Sequence, residues 1–229
     1  MNIFLSGHKG YLGKSIKKRL TDNNYNIKTL ANKINKKTNI NFDNINCIIN
    51  SANKFNSKNK DEIFKVNYAI AKKIYIEATK IQSVGTKLFI NLNTIRIKEN
   101  LKKNKNYYIE SKKKFSEYVK NKVKKKILFI DLLIPTVFGS IGNNKDFYST
   151  TLIKLKKNDK LKLKNPHVLK KFIKLDNLTR QILQIIKKYK NSKRRGYIKI
   201  EVDYDFKKTI LQFSNYLKIK LKSKSKIYF

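Results

Sequence analysis

Three features of this 229-residue sequence predict an α/β fold built on a doubly wound parallel sheet. Short apolar runs alternate with longer amphipathic stretches, which is the pattern of βαβ units. A glycine triplet stands directly after the first apolar run. Residues 127–134 are almost wholly apolar, as a parallel strand must be when helices cover both its faces. The length suits such a core with a small C-terminal appendage.

Residues 3–6 read as the first strand, and 11–21 as a helix with Leu12, Ile16 and Leu20 on one face. Residues 26–30 read as a short second strand and 47–49 as a buried third. The stretch 61–80 is a long helix that turns Val66, Ala69, Ile70, Ile74 and Ala78 inward. A strand over 87–92, a helix over 108–122 and the apolar strand 127–134 follow. The loop 139–144, rich in Gly and Asn, marks a boundary. The expected domains are a core over 1–140 and a smaller region over 141–229, with 175–202 returning to the core. In that region 146–157, 175–189 and 206–217 read as helices and 197–202 as a strand. The lysine- and serine-rich end, 218–229, is expected to be poorly ordered.

Composition excludes several classes. No apolar run reaches the roughly 18 residues of a membrane span, and the apolar run at 3–5 is too short for a signal peptide. Cys47 is the only cysteine, so a disulfide within the chain and a cysteine-rich metal site are both excluded. No pair of histidines or carboxylates has metal-ligand spacing, so no metal is expected. The expected compartment is the cytoplasm.

The net charge is +40, yet only Arg19, Arg96, Arg180, Arg194 and Arg195 of the 55 basic residues are arginine. The lysines accompany an excess of Asn and Ile, which share A/T-rich codons, so base composition accounts for them. Nucleic-acid readers favour arginine for two-point contacts, which disfavours nucleic acid as the partner. The field still attracts anions such as phosphates, nucleotides and lipid headgroups. Lysines clustered on one face among aromatics would favour an RNA-binding or cofactor-sensing protein without catalysis; an even spread would favour an enzyme.

SGHKGYLG, residues 6–13, places Gly7, Gly10 and Gly13 between the first strand and the first helix. There the first glycine allows a tight turn, the second admits a pyrophosphate, and the third lets helix and strand pack closely. Free N–H groups at the helix start bind the anion, and Lys9, Tyr11 and Leu12 line the same loop. The implied core is a Rossmann-like dinucleotide site.

Tyr108 and Lys112 stand four apart at the start of a predicted helix and so share a face. A lysine cation beside a phenol favours tyrosinate, which can exchange a proton with an alcohol or carbonyl while hydride moves. Tyr107 is the neighbour most easily confused with Tyr108.

The Gly-x-x-Gly-x-x-Gly spacing resembles that of the extended short-chain dehydrogenase/reductase family, of the nucleotide-sugar epimerase/dehydratase type. INSAN (49–53) resembles the family's strand end that lines the cofactor, here Ser51 and Ala52. NYAIAKKIYIEA (67–78) resembles the helix that opens on a structural asparagine, here Asn67. LFINLNTI (88–95) resembles the strand ending in the catalytic Ser/Thr, here Thr94, with Asn93 next if the register is off by one. LLIPTVFGS (132–140) resembles the segment beside the nicotinamide, which implies Pro135 and Val137 at the cofactor and Thr136 at the substrate. KKFIKLDNL (170–178) resembles the substrate-side segment, with Lys171 towards a sugar nucleotide.

The resemblance implies Thr94, Tyr108 and Lys112 as catalytic residues, with Asn93 contacting substrate. The span from Thr94 to Tyr108 is shorter than is usual in the family. Family dehydratases carry an Asp-Glu pair after the Ser/Thr; Ile95 and Arg96 stand here instead, which leaves reductase or epimerase. Segment 28–37 has no acid, and Lys28 and Lys33 lean towards NADP over NAD. A homodimer would pair the helices over 61–80 and 105–122.

Overall fold

The computed structural model describes residues 1–30, 38–55, 57, 59–80, 87–98, 106–122, 127–139 and 146–229. Along the chain run β1 (Asn2–Ser6), α1 (Tyr11–Thr21), β2 (Asn26–Lys28), β3 (Cys47–Asn50), α2 (Lys60–Phe64), a π turn (Lys65–Ile70), α3 (Ala71–Lys80) and β4 (Lys87–Thr94). A 3₁₀ turn (Ile95–Lys98), α4 (Tyr107–Lys122), β5 (Ile127–Ile134), β6 (Thr136–Phe138), α5 (Phe147–Lys156) and β7 (Leu161–Lys162) follow. The chain ends with β8 (Leu169–Lys174), α6 (Leu175–Tyr189), β9 (Gly196–Glu201), β10 (Phe206–Thr209), α7 (Ile210–Lys220) and β11 (Ile227–Tyr228).

These elements form two compact units, 1–134 with 179–202, and 135–178 with 203–229. The expected boundary was 140/141, with 175–202 in the core.

In the first unit six strands pair in parallel, in the order β2-β1-β3-β4-β5-β9. All eight residues of β5 are buried, as a strand covered on both faces requires. On one face Phe129 stacks on Phe89 at 5.0 Å and on Tyr197 at 5.7 Å, and Ile74, Tyr75 and Phe115 complete the cluster. Full burial of each such ring contributes about 1.5–3 kcal/mol. Because β1 lies between β2 and β3, successive connections run to opposite sides of it. The carboxyl end of β1 is therefore the switch point at which open α/β sheets bind ligands.

In the second unit β10-β8-β6 form a three-stranded sheet, and β11 pairs with β7. Its core holds Phe138, Leu152, Phe172 and Phe213, with Phe172 stacked on Phe213 at 4.0 Å.

The last part of the chain departs from expectation. Residues 206–209 pair antiparallel with β8 instead of opening a helix. Phe206 joins the aromatic cluster, and the helix begins only after Thr209, whose hydroxyl accepts the Gln212 N–H at 3.1 Å in a capping box. Nor is the end loose: α7 continues to Lys220, Ser225 is buried, and Ile227 and Tyr228 pair with Leu161 and Lys162. The second strand stops at Lys28, two residues early, and β4 runs two residues further, to Thr94. Lys33 and most of the 139–144 loop lie outside the described residues.

Candidate active site

The glycine loop closes at the switch point. Gly7 has φ +70°, and a Cβ there would lie 2.5 Å from Ala52 N. A Cβ on Gly13 would stand 2.1 Å from Gly7 O. Side chains at either position would therefore push apart β1, α1 and the end of β3. Gly10 N donates to Gly7 O at 2.9 Å, and Gly10 is the N-cap of α1 with no side-chain cap and no acid in the first turn. The first amides of α1 are thus not met by a capping side chain, and helix N-termini of this kind attract anions. Lys9 is exposed here, and Tyr11 and Leu12 are half-buried. Burial, then the charges of Lys17 and Lys9, push the His8 imidazole below its ordinary value, so it is largely uncharged at neutral pH.

Beside the loop, Ser51 Oγ donates to Ser6 O at 2.5 Å. Asn67, in the π turn, is buried and holds the following segment. Its Oδ1 accepts Lys54 N at 2.9 Å, and its Nδ2 donates to Lys54 O at 2.8 Å and to Ser111 Oγ at 3.1 Å. The wider turn supplies the register that points Asn67 inward from an otherwise lysine-rich rod.

Tyr108 and Lys112 both lie on α4, and Thr94 ends β4. The phenol of Tyr108 accepts Asn53 Nδ2 at 3.3 Å, and its ring meets Phe55 edge-on at 6.4 Å. Burial leaves the phenol above its ordinary value, only partly opposed by the Asn53 bond and the Arg96 charge, so the tyrosinate that the Tyr-Lys spacing predicts is not favoured here. Spacing alone assigned that charge to Lys112. The Lys112 ammonium instead donates to Leu92 O at 2.8 Å, while Arg96 sits in the 3₁₀ turn that packs on α4. Burial pulls Lys112 down to about 8, against the opposing charge of Asp131.

Thr94 Oγ1 accepts Arg96 N at 3.3 Å. Asn93, expected at the substrate, is buried with its amide engaged inside the protein. It donates to Ser116 Oγ at 2.8 Å and to the Asp131 carboxylate, and accepts Thr94 N at 2.8 Å. Asn93 and Thr94 are both buried, and Thr94 is the last residue of β4. Pro135, Thr136, Val137 and Lys171 belong to the second unit, where Thr136 pairs with Phe172 and Lys171 Nζ lies 4.8 Å from the Tyr204 ring.

No model of a known protein family matches the sequence, and no curated protein matches it. Solved structures do. MoeE5 in complex with UDP-glucuronic acid and NAD superposes with a TM-score of 0.83 at 10% identity, covering 100% of this chain and 85% of that one. UDP-glucuronic acid 4-epimerase from Bacillus cereus gives 0.83 at 14% identity, over 100% and 86%. ADP-L-glycero-D-manno-heptose-6-epimerase of Helicobacter pylori gives 0.76 at 15% identity, over 99% and 84%. The chain has the extended short-chain dehydrogenase/reductase fold.

Within that dehydrogenase/reductase fold, one group of residues escaped the motif reading. Asp131, in the middle of β5, is fully buried, and five contacts converge on its carboxylate. Oδ1 accepts Asn91 Nδ2 and Asn93 Nδ2, both at 2.9 Å. Oδ2 accepts Ser116 Oγ at 2.7 Å, Tyr197 OH at 2.8 Å and Asn93 Nδ2 at 3.1 Å. Beyond Asn91 the chain runs on: Asn50 Nδ2 donates to Asn91 Oδ1 at 3.0 Å, and Ser6 Oγ to Asn50 Oδ1 at 2.7 Å. The available signal was polar residues at matching positions inside otherwise apolar strands.

The two units carry similar charge per residue, net +28 over the 158 residues of the first and +12 over the 71 of the second. On the outer side of α3 and α4, Lys72 Nζ lies 4.4 Å from the Tyr118 ring and Lys114 Nζ 5.0 Å from the Tyr68 ring. Among the described residues no cluster of His, Cys, Asp and Glu could hold a metal, and no helix is long and apolar enough to cross a membrane.

Proposed function

We propose that this chain is an NAD- or NADP-dependent oxidoreductase or epimerase acting on a nucleotide-linked sugar, in surface polysaccharide synthesis. The observation that carries the reading is the glycine loop at the switch point, where α1 starts on Gly10 with no capping side chain and packs so closely on β1 that a Cβ on Gly7 or Gly13 would run into backbone. Gly7, Gly10, Gly13 and the first amides of α1 would hold the cofactor's pyrophosphate, with Ser51 and Ala52 alongside. A bound nicotinamide supplies a hydride donor or acceptor for the substrate carbon.

The chain's own groups handle the proton. Tyr108 exchanges it with the substrate oxygen, and Thr94 hydrogen-bonds that oxygen. Asn53 and Arg96 oppose part of the burial that favours the neutral phenol, which acts as a proton donor to the substrate oxygen. Lys112, with a value of about 8, is mostly an ammonium at neutral pH and is available to cofactor hydroxyls. Lys171 is the candidate for the substrate diphosphate. Ile95 and Arg96, standing where dehydratases carry acids, favour reductase or epimerase chemistry. Lys28, exposed at the end of β2, favours NADP. The reading includes a cytoplasmic protein and a homodimer through the helices over 61–80 and 105–122, strengthened by salt because the facing lysines repel.

The test is a titration of NADH and NADPH, followed by nicotinamide fluorescence, on wild type and Gly10→Asp. Saturable binding lost in the variant supports the reading and chooses the cofactor. No binding of either at millimolar concentration refutes it. With binding in hand, cofactor consumed at each turnover of a sugar nucleotide marks a reductase; cofactor retained marks an epimerase.

A further inference from the structure

We propose that Asp131 is a positioning residue that clamps Lys112 at both ends, through the strand that accepts its ammonium and through the helix that carries it. The ammonium donates to Leu92 O, and the two neighbours of Leu92, Asn91 and Asn93, both donate to Asp131. That carbonyl therefore cannot shift along β4 without breaking bonds to the carboxylate. On α4, Ser116 stands one turn after Lys112 and donates to Asp131 Oδ2 at 2.7 Å. One carboxylate thus ties strand and helix together.

An ion in mid-sheet is not needed for packing, since apolar residues of similar volume usually stabilise a core as well or better. Here five hydrogen bonds from β4, α4 and β9 hold the carboxylate in one place, and its charge favours the Lys112 ammonium, which is the arrangement of a group kept for what it orients. The titratable and charged groups facing Asp131 are Lys112 from α4, and Tyr197 together with Lys199, its register partner, from β9. Among the described residues β4 contributes only amides to the carboxylate. Burial, then the Asp131 charge and hydrogen bond, push the Tyr197 phenol far up, so it stays a neutral donor. The inference rests on the reading of Lys112 as part of the active site.

The experiment is an NMR titration of the lysine side-chain nitrogens in wild type, Asp131→Asn and Asp131→Ser, with Lys112→Met to assign the signal. NADPH titration and circular dichroism follow on the same samples. The expected wild-type result is a Lys112 midpoint at about 8. In a folded neutral variant its midpoint falls by about one pH unit or more, because an opposite charge nearby is worth that much, and NADPH affinity falls at least tenfold. Tyr197→Phe, which keeps the charge, retains the wild-type midpoint. An unchanged midpoint in a folded Asp131 variant overturns the proposal. Loss of the fold in both Asp131 variants also overturns it, since the carboxylate would then serve stability alone. Wild type that fails to bind NADPH while the midpoint still moves refutes the cofactor reading and leaves the clamp standing.

Discussion

Replacing Lys112 with Met should stabilise this protein while removing a group that the proposed chemistry needs. Lys112 is 2% exposed, and its pKa is lowered from 10.5 to about 8 by burial, net of the help from Asp131. At 1.36 kcal/mol per unit the protonated side chain costs the folded state about 3 kcal/mol. Met fills the same space without charge but leaves Leu92 O unpartnered, which returns about 1 kcal/mol of the gain. The net expectation is stabilisation by about 2 kcal/mol, or about 4–8 °C in Tm for a chain of this size.

The pH dependence follows from the direction of the shift. Below about 8 both folded and unfolded wild type hold the proton, and the whole penalty is present. Between about 8 and 10.5 the folded state gives it up first, so the penalty fades and wild type gains on the variant. Urea unfolding of both proteins at pH 7 and at pH 10 measures the difference, and the other lysines cancel. A variant less stable than wild type at pH 7, or a gap that does not narrow by pH 10, would show that Lys112 is not a strained buried cation.

Gly13→Ala brings a Cβ within 2.1 Å of Gly7 O. It should cost about 1–3 kcal/mol in urea unfolding and weaken NADPH binding at least tenfold; unaltered affinity would contradict the cradle geometry. Arg96→Gln removes a cation that lowers the Tyr108 phenol, so its alkaline ultraviolet transition, isolated against Tyr108→Phe, should move upward; no movement would separate Arg96 from the site. Cys47 is fully buried and its thiol is pushed far up by that burial. It should therefore resist a disulfide reagent at pH 8 and react only in denaturant. Asn67→Ala removes the side chain that bonds Lys54 and Ser111 and should cost about 2 kcal/mol or more by leaving buried groups unpaired; a change within experimental error would mean that water replaces it.

The sheet was legible because long parallel strands and amphipathic helices write strong periods. Residues 127–134 and 175–189 carry the same bounds in sequence and structure. What escaped were strands of two to six residues, β6, β7, β8, β10 and β11, too short for a period and stabilised by partners distant in sequence. Phe206 shows the reason: its neighbours fit one turn of helix, and only pairing with Phe172 makes it a strand residue. In the site, the glycines were readable because their constraint is local. The electrostatics of Tyr108 were not, because spacing along α4 could not reveal that Lys112 bonds across to β4 or that Arg96 lies nearby. Asn93 and Asp131 read as a candidate ligand contact and an unremarked residue; only the side-by-side placement of β4 and β5 makes them partners.

The row of amides that runs from Ser6 through Asn50 and Asn91 to Asp131 has a second effect, on how the strands align. Strands as apolar as β4 and β5 can slide past one another by two residues with every side chain still facing its own layer. Such a slip would bring Asn93 opposite Asp131 and carry Asn91 down beside Phe129, into a wall of aromatic rings with nothing to bond. Only one alignment satisfies all the amides at once. The same residues that surround the candidate site thereby act as the key that selects the native register from its near-degenerate neighbours.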